Sequence, residues 1–98
     1  LAAARGRWAA AEHWACFDTA FHAHWDELAF HYAAPPAWVE RGWRRWGYHG
    51  LAYAAVADHL ATLPAPPRRV VAAHLGSGAS ACAMLDGRSV DATMGWSA

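Results

Sequence analysis

This sequence predicts an α/β fold. Three observations carry it: a helical stripe that begins at Gly50, a strand-like run at Val70-Val71-Ala72-Ala73, and an Asp86-Gly87 pair set between two segments of strand character. Ninety-eight residues is the length of one small domain or of part of a larger one. The chain starts at Leu1 rather than at a methionine and ends at Ala98, and is expected to be a fragment.

Residues 1–12 are rich in alanine, the strongest helix former, and read as a helix or the tail of one. Residues 13–17 form a short apolar run, expected as a strand that delivers Asp18 at its end. A short helix fits residues 26–32. After Pro35-Pro36, a second one over residues 37–41 stops at Gly42. The clearest helix opens at Gly50, with Ala52, Val56, Leu60 and Leu63 on one stripe and Asp58 on the other side. Pro64, Pro66 and Pro67 end it. The continuous apolar run within Arg69–Leu75 is expected as a strand buried on both faces. Beyond a glycine turn, Ser80, Cys82 and Met84 alternate with Ala81, Ala83 and Leu85. Asp86-Gly87 is a type I′ hairpin signal that leads into a strand over Arg88–Ala92.

Composition narrows the function classes. Eight arginines balance eight acidic residues, and lysine is absent. A net charge near zero gives no electrostatic case for nucleic acid or an anionic membrane as partner. No apolar run approaches the ~20 residues of a membrane span, and the alanine-rich start lacks the pattern of a signal peptide. Cys16 and Cys82 are too few for a disulfide framework and read as reduced, buried thiols of a cytoplasmic protein. Seven tryptophans are many for this length. Some belong to a core, and others are expected on surfaces that further chain would cover.

Three stretches carry candidate chemistry. His74-Leu75-Gly76-Ser77-Gly78-Ala79-Ser80 is a glycine turn between two strand-like segments. Gly76 and Gly78 allow close backbone approach to a ligand, Ser77 and Ser80 offer hydroxyls, and His74 offers an imidazole. The turn is neither a P-loop nor a dinucleotide fingerprint, and judged on its G-x-G alone an ordinary tight turn is the better reading. A phosphate turn inside a hairpin points to the nucleotide domains of the actin, sugar kinase and Hsp70 type. Asp18, flanked by Phe17 and Phe21, is either a structural cap with Thr19 opening the next turn, or a carboxylate presented to a cleft. Arg44-Arg45-Trp46-Gly47-Tyr48-His49-Gly50 sets His49 between glycines that permit a sharp bend. His22, His24 and His31 invite a zinc reading, but no second ligand pair and no C-x-x-C supports it.

These blocks, in this order and at this spacing, resemble the acetate kinase family, which includes propionate and butyrate kinases. Cys16–His22 is similar to its F-D-T-A-F-H motif, and Tyr32-Ala33-Ala34-Pro35 to its Y-A-L-P segment. The Arg44–Gly50 block resembles R-R-Y-G-F-H-G, His74–Ser80 resembles H-L-G-N-G-A-S, and Asp86–Gly95 covers G-[KR]-S-V-D-T-[ST]-M-G. The chain departs from the family at Leu51-Ala52-Tyr53, where members often read T-S-H and some carry tyrosine, and at His24-Trp25-Asp26, where a polar-Met-Pro stands.

The resemblance implies a ribonuclease H-like acetate kinase fold, with residues 1–49 closing a first lobe and 50–98 opening a second. It implies Asp18 as the catalytic aspartate and His49 as transition-state stabiliser. His74, Leu75, Gly76, Ser77 and Gly78 would bind ATP, and Tyr48 would stand beside the acyl pocket. ATP/ADP and Mg²⁺ would be the cofactors, a short-chain carboxylate such as acetate or propionate the acceptor, and a homodimer the full-length assembly. The family's N-terminal phosphate site, two catalytic arginines, adenine-binding segments and metal-proximal glutamate are not in this stretch, so the isolated chain is expected to be inactive. Two other classes stay open: a nucleotide-binding module of the actin or Hsp70 type without kinase activity, and a purely structural α/β piece.

Overall fold

In a computed structural model, residues 1–95 are described. They form helix α1 (Ala2–Arg7), a single 3₁₀ turn (Ala20–His22), α2 (Glu27–Phe30), α3 (Pro36–Glu40) and α4 (Gly50–Ala61). Strands β1 (Arg69–Leu75), β2 (Ala79–Leu85) and β3 (Arg88–Ala92) follow as an antiparallel meander in the order β1-β2-β3.

The amino-terminal elements are weaker than the sequence predicts. Helix α1 stops at Arg7, short of the expected Glu12, and buries no residue. Propensity alone does not hold a helix of that length without an apolar face to pack. Residues 13–17 form no strand. Trp14 is 85% exposed and Phe17 is also exposed, so the apolar run lies on the surface with no neighbouring strand to pair it among the described residues. Cys16 is exposed as well, which corrects the expectation of two buried thiols; Cys82 alone is buried.

The next elements match expectation more closely. Asp26 caps α2, its carboxylate accepting from the Ala29 N–H at 3.1 Å. Pro36 sits in the first turn of α3, where its missing N–H costs nothing, and Gly42 follows the helix with φ +83°. Helix α4 begins at Gly50, but its buried face is turned from the expected stripe. Gly50 and Tyr53 are buried and Ala57 packs on the core, while Val56 and Leu63 are exposed.

The sheet is covered on one face only. In β1 burial alternates residue by residue, with Val71 76% and Leu75 83% exposed, which overturns the expected burial on both faces. The reason is topological: β1 is the edge of an antiparallel meander, not a central parallel strand. Asp86 (φ 50°) and Gly87 (φ 76°) give the left-handed pair that a type I′ turn requires. A bulge then shifts the β2–β3 register between Ala83 and Met84, so that Ser89 and Ala92, three residues apart, both face inward.

The core gathers Trp25, Tyr53, Cys82, Met84 and Ala92, with Phe21, Phe30 and Val70 packed against it. At its centre the Ser89 hydroxyl accepts from Trp25 Nε1 (2.7 Å) and the Cys82 thiol (3.4 Å) and donates to His22 Nδ1 (2.7 Å). His22 Nε2 donates to the Tyr48 carbonyl at 3.1 Å. Both ring nitrogens of this buried imidazole are therefore satisfied in its neutral form. Of the tryptophans only Trp25 belongs to this core; Trp8, Trp14, Trp38, Trp43 and Trp46 are exposed, and Trp96 lies outside the described residues. Among the described residues no helix is long and apolar enough to cross a membrane.

Candidate functional site

The site is assembled where the loop after Phe17, the start of α4 and the β1–β2 turn meet. His49 stands before α4 with φ +58°, a left-handed conformation that costs a residue with a Cβ about 1 kcal/mol or more. Asp18 holds it there. One carboxylate oxygen accepts from the His49 N–H at 2.5 Å, the other from the Leu51 N–H at 3.3 Å, and the Asp18 carbonyl accepts from the Gly50 N–H at 2.9 Å. Three consecutive amides at the helix start thus bind one residue that lies far away in sequence. Asp18 is a cap, but of α4 rather than of the turn that follows it.

Two glycines make this approach feasible. A Cβ on Gly50 would stand 2.0 Å from the Asp18 carbonyl oxygen. Its role is close approach, not the sharp bend expected of it. Gly47 does supply the bend, with φ +71°, and a Cβ there would stand 2.5 Å from the His22 ring.

His49 reaches the glycine turn. Its ring stacks on that of His74, with centroids 4.1 Å apart and planes 27° apart. A Cβ on Gly78 would be 3.4 Å from His49 Cε1 and Nε2, so the ring edge lies against the turn. The turn itself is closed by the Gly76 N–H, which donates to the Gly78 carbonyl at 3.1 Å. The Gly76 amide is therefore directed inward rather than at a ligand, while Gly76 and Ser77 are exposed.

Asp18, His49, His74, Gly76 and Gly78 are thus brought together. Leu75 is not part of the cluster through its side chain: strand alternation sends it to the opposite sheet face from His74. Tyr48 is half-buried next to His49 in sequence, and its carbonyl anchors His22. Arg44 and Arg45 serve the scaffold. The Arg44 guanidinium lies between Phe30 (4.2 Å) and Trp46 (4.7 Å). Arg45 bonds the Ala29 and Ala92 carbonyls and pairs with Asp91 at 3.1 Å.

Ser80 is placed differently from expectation. It is 6% exposed, and its hydroxyl turns away from the turn to Tyr53 Oη (2.5 Å) and His49 Nδ1 (2.9 Å). Its alternation with Cys82 and Met84 was the available signal, since all three share the inward face of β2. Among the described residues no group of three or more His, Cys, Asp or Glu could hold a metal ion.

The α/β scaffold, with a glycine turn between strands set beside the start of a helix, is that of the acetate kinase type of nucleotide domain, and the solved structures agree on the fold. The chain matches an acetate kinase from Entamoeba histolytica with a TM-score of 0.69 and 34% identity, covering 80% of this chain and 21% of that one. It matches a propionate kinase from Francisella tularensis with a TM-score of 0.73 and 37% identity, covering 81% and 21%. The model of the acetokinase family matches residues 2–98. Acetate kinases from Deinococcus radiodurans and Nitrobacter hamburgensis are 49% and 53% identical over 87 and 89 residues, which is 85% and 86% of this chain. The chain belongs to the acetokinase family. It spans about a fifth of the length of these relatives, 22% and 21% respectively.

Proposed function

We propose that this chain is the inter-lobe segment of an ATP-dependent carboxylate kinase: ATP + acetate, or a close homologue, ⇌ ADP + acyl phosphate. The observation that carries the reading is the Asp18–His49–Gly78 juxtaposition on an acetokinase scaffold. Residues 1–49 would close one lobe and residues 50–98 open the next, with His49 at the boundary. The protein would act in the cytoplasm as a homodimer.

The chemistry asks little of a general base. A carboxylic acid with a pKa of about 4–5 is already ionised at neutral pH. Its oxygen forms the new bond to the γ-phosphorus while the bond to the ADP oxygen breaks, and no proton is transferred. What is needed is positioning and stabilisation of charge on the transferred phosphoryl group. Magnesium would enter on the nucleotide phosphates as part of the substrate. His49, held by Asp18, would donate its ring N–H to a phosphoryl oxygen beside the Gly76–Gly78 turn. Asp18 would orient the acceptor indirectly, by fixing His49 and the start of α4. Tyr48 would border the acyl group.

The test is acyl hydroxamate formation from ATP, Mg²⁺, acetate and hydroxylamine by the full-length protein and its Asp18→Ala variant. Activity in the wild type that falls at least about a hundredfold in the variant, with ATP binding retained, is expected if Asp18 fixes the reacting geometry. ATP binding without any acyl transfer by the wild type would instead establish a nucleotide-binding relative without kinase activity.

A further inference from the structure

Beyond the residues the family resemblance assigns, Tyr53 and Ser80 form a chain of hydrogen bonds that ends on His49. Tyr53 is 1% exposed, so its hydroxyl proton must find an acceptor inside the protein. Its partner is Ser80 Oγ at 2.5 Å. Ser80 has one proton of its own, and its second neighbour is His49 Nδ1 at 2.9 Å. If the phenol donates to the serine, the serine donates to the imidazole, and every hydroxyl proton is satisfied. The reverse order leaves the phenolic proton without an acceptor in a buried site. The satisfied order makes Nδ1 an acceptor and puts the proton of the neutral ring on Nε2. That edge is the one beside Gly78.

We propose that Tyr53 is a positioning residue that acts through Ser80 to hold His49 in its Nε2–H tautomer and to aim that N–H at the glycine turn. Asp18 fixes the backbone of His49, and Tyr53 with Ser80 fixes its ring. The His74 ring, stacked on the free face, leaves the imidazole little room to rotate. This assigns a role to the tyrosine at which the chain departs from the family's frequent histidine. A phenol at this place keeps the proton order in one direction, because its acidic hydroxyl donates readily to an aliphatic one.

The kinetic part of the test rests on the carboxylate kinase reading, and the spectroscopic part does not. Full-length wild type, Tyr53→Phe, His49→Asn and the double variant are compared. Tyr53→Phe is expected to lower kcat by about tenfold with KM for ATP within about twofold, as loss of one positioning hydrogen bond implies. In the His49→Asn background the same change is expected to cost nothing further in kcat. An equal loss in both backgrounds would show a structural role and overturn the proposal. Nitrogen-15 spectra of histidine-labelled protein are expected to show His49 as one Nε2–H tautomer in the wild type and as a mixture in Tyr53→Phe. Unchanged His49 nitrogen shifts in the variant would also overturn it. Ser80→Ala, which cuts the chain at its middle, is expected to produce the same spectral change and serves if Tyr53→Phe does not fold. A wild type without acyl transfer would sink the kinase reading and leave the nitrogen spectra to decide the positioning role alone.

Discussion

At the scale of single residues, His22 shows how an imidazole can be structural in a chain whose other histidines are exposed or half-buried. Burial lowers its pKa below the ordinary 6.5, opposed by the hydrogen bond to the Tyr48 carbonyl and by the Asp18 charge. The unfolded chain therefore binds a proton that the folded one resists. Stability from this group is complete above the unfolded value and is lost as pH falls through it, with a slope of at most ~1.4 kcal/mol per pH unit. Thermal melts are expected to be flat near neutral pH and to fall below about pH 6.5, with a shallower acid slope in a His22→Asn variant. The sequence marked His22 as a possible zinc ligand and as the last residue of the Cys16–His22 block, not as a core residue. Its true partners, Ser89 and the Tyr48 carbonyl, lie 67 and 26 residues away, and only tertiary structure brings them near. Asp18 and His49 were legible because their neighbours carry a family pattern. What was not legible was that they bind each other, since a cap normally acts within its own turn.

At the scale of elements, α4 and the hairpin were readable because local rules decide them. Proline and glycine punctuation bound the helix, and Asp86-Gly87 sets the turn for β2 and β3. The strand expected at residues 13–17 and the double burial of β1 failed for one reason: an apolar run says that a segment seeks cover, not whether cover is at hand. The helix start offers a sharp test of packing against propensity. In an ordinary helix Gly→Ala stabilises by roughly 0.5–1 kcal/mol. At Gly50 the added methyl would collide with the Asp18 carbonyl, so Gly50→Ala is expected to destabilise. A denaturant midpoint higher than that of the wild type would show that the loop moves aside at no cost. The β3 bulge has a comparable role, since without it Ser89 and Ala92 would lie on opposite faces and the hydroxyl at the centre of the core would lose its place.

At the scale of the whole molecule, the described residues leave many large apolar side chains exposed. Trp14, Leu28, Val71 and Leu75 stand largely exposed, and the outer face of the sheet has no layer packed on it among the described residues. The acetate kinases it matches are about five times as long. Produced alone, the chain is expected to bind a hydrophobic dye strongly and to self-associate, whereas the full-length protein is not. Dye fluorescence and light scattering on both would decide it, and a monodisperse, dye-silent 98-residue chain would show that this surface is tolerated. The tryptophan count carried this message early, because one small core has no space for seven indoles.

The three amides gathered by Asp18 have a consequence for how variants of this protein would be sorted. A screen that selects only for soluble expression, and never asks for turnover, would still retain aspartate at position 18, because two of the three hydrogen bonds between the loop and α4 are lost without its carboxylate. Depletion of substitutions there would then measure two demands at once. Only the ratio of activity to surviving protein, read variant by variant, would separate the role in chemistry proposed for Asp18 from its role in fastening the chain.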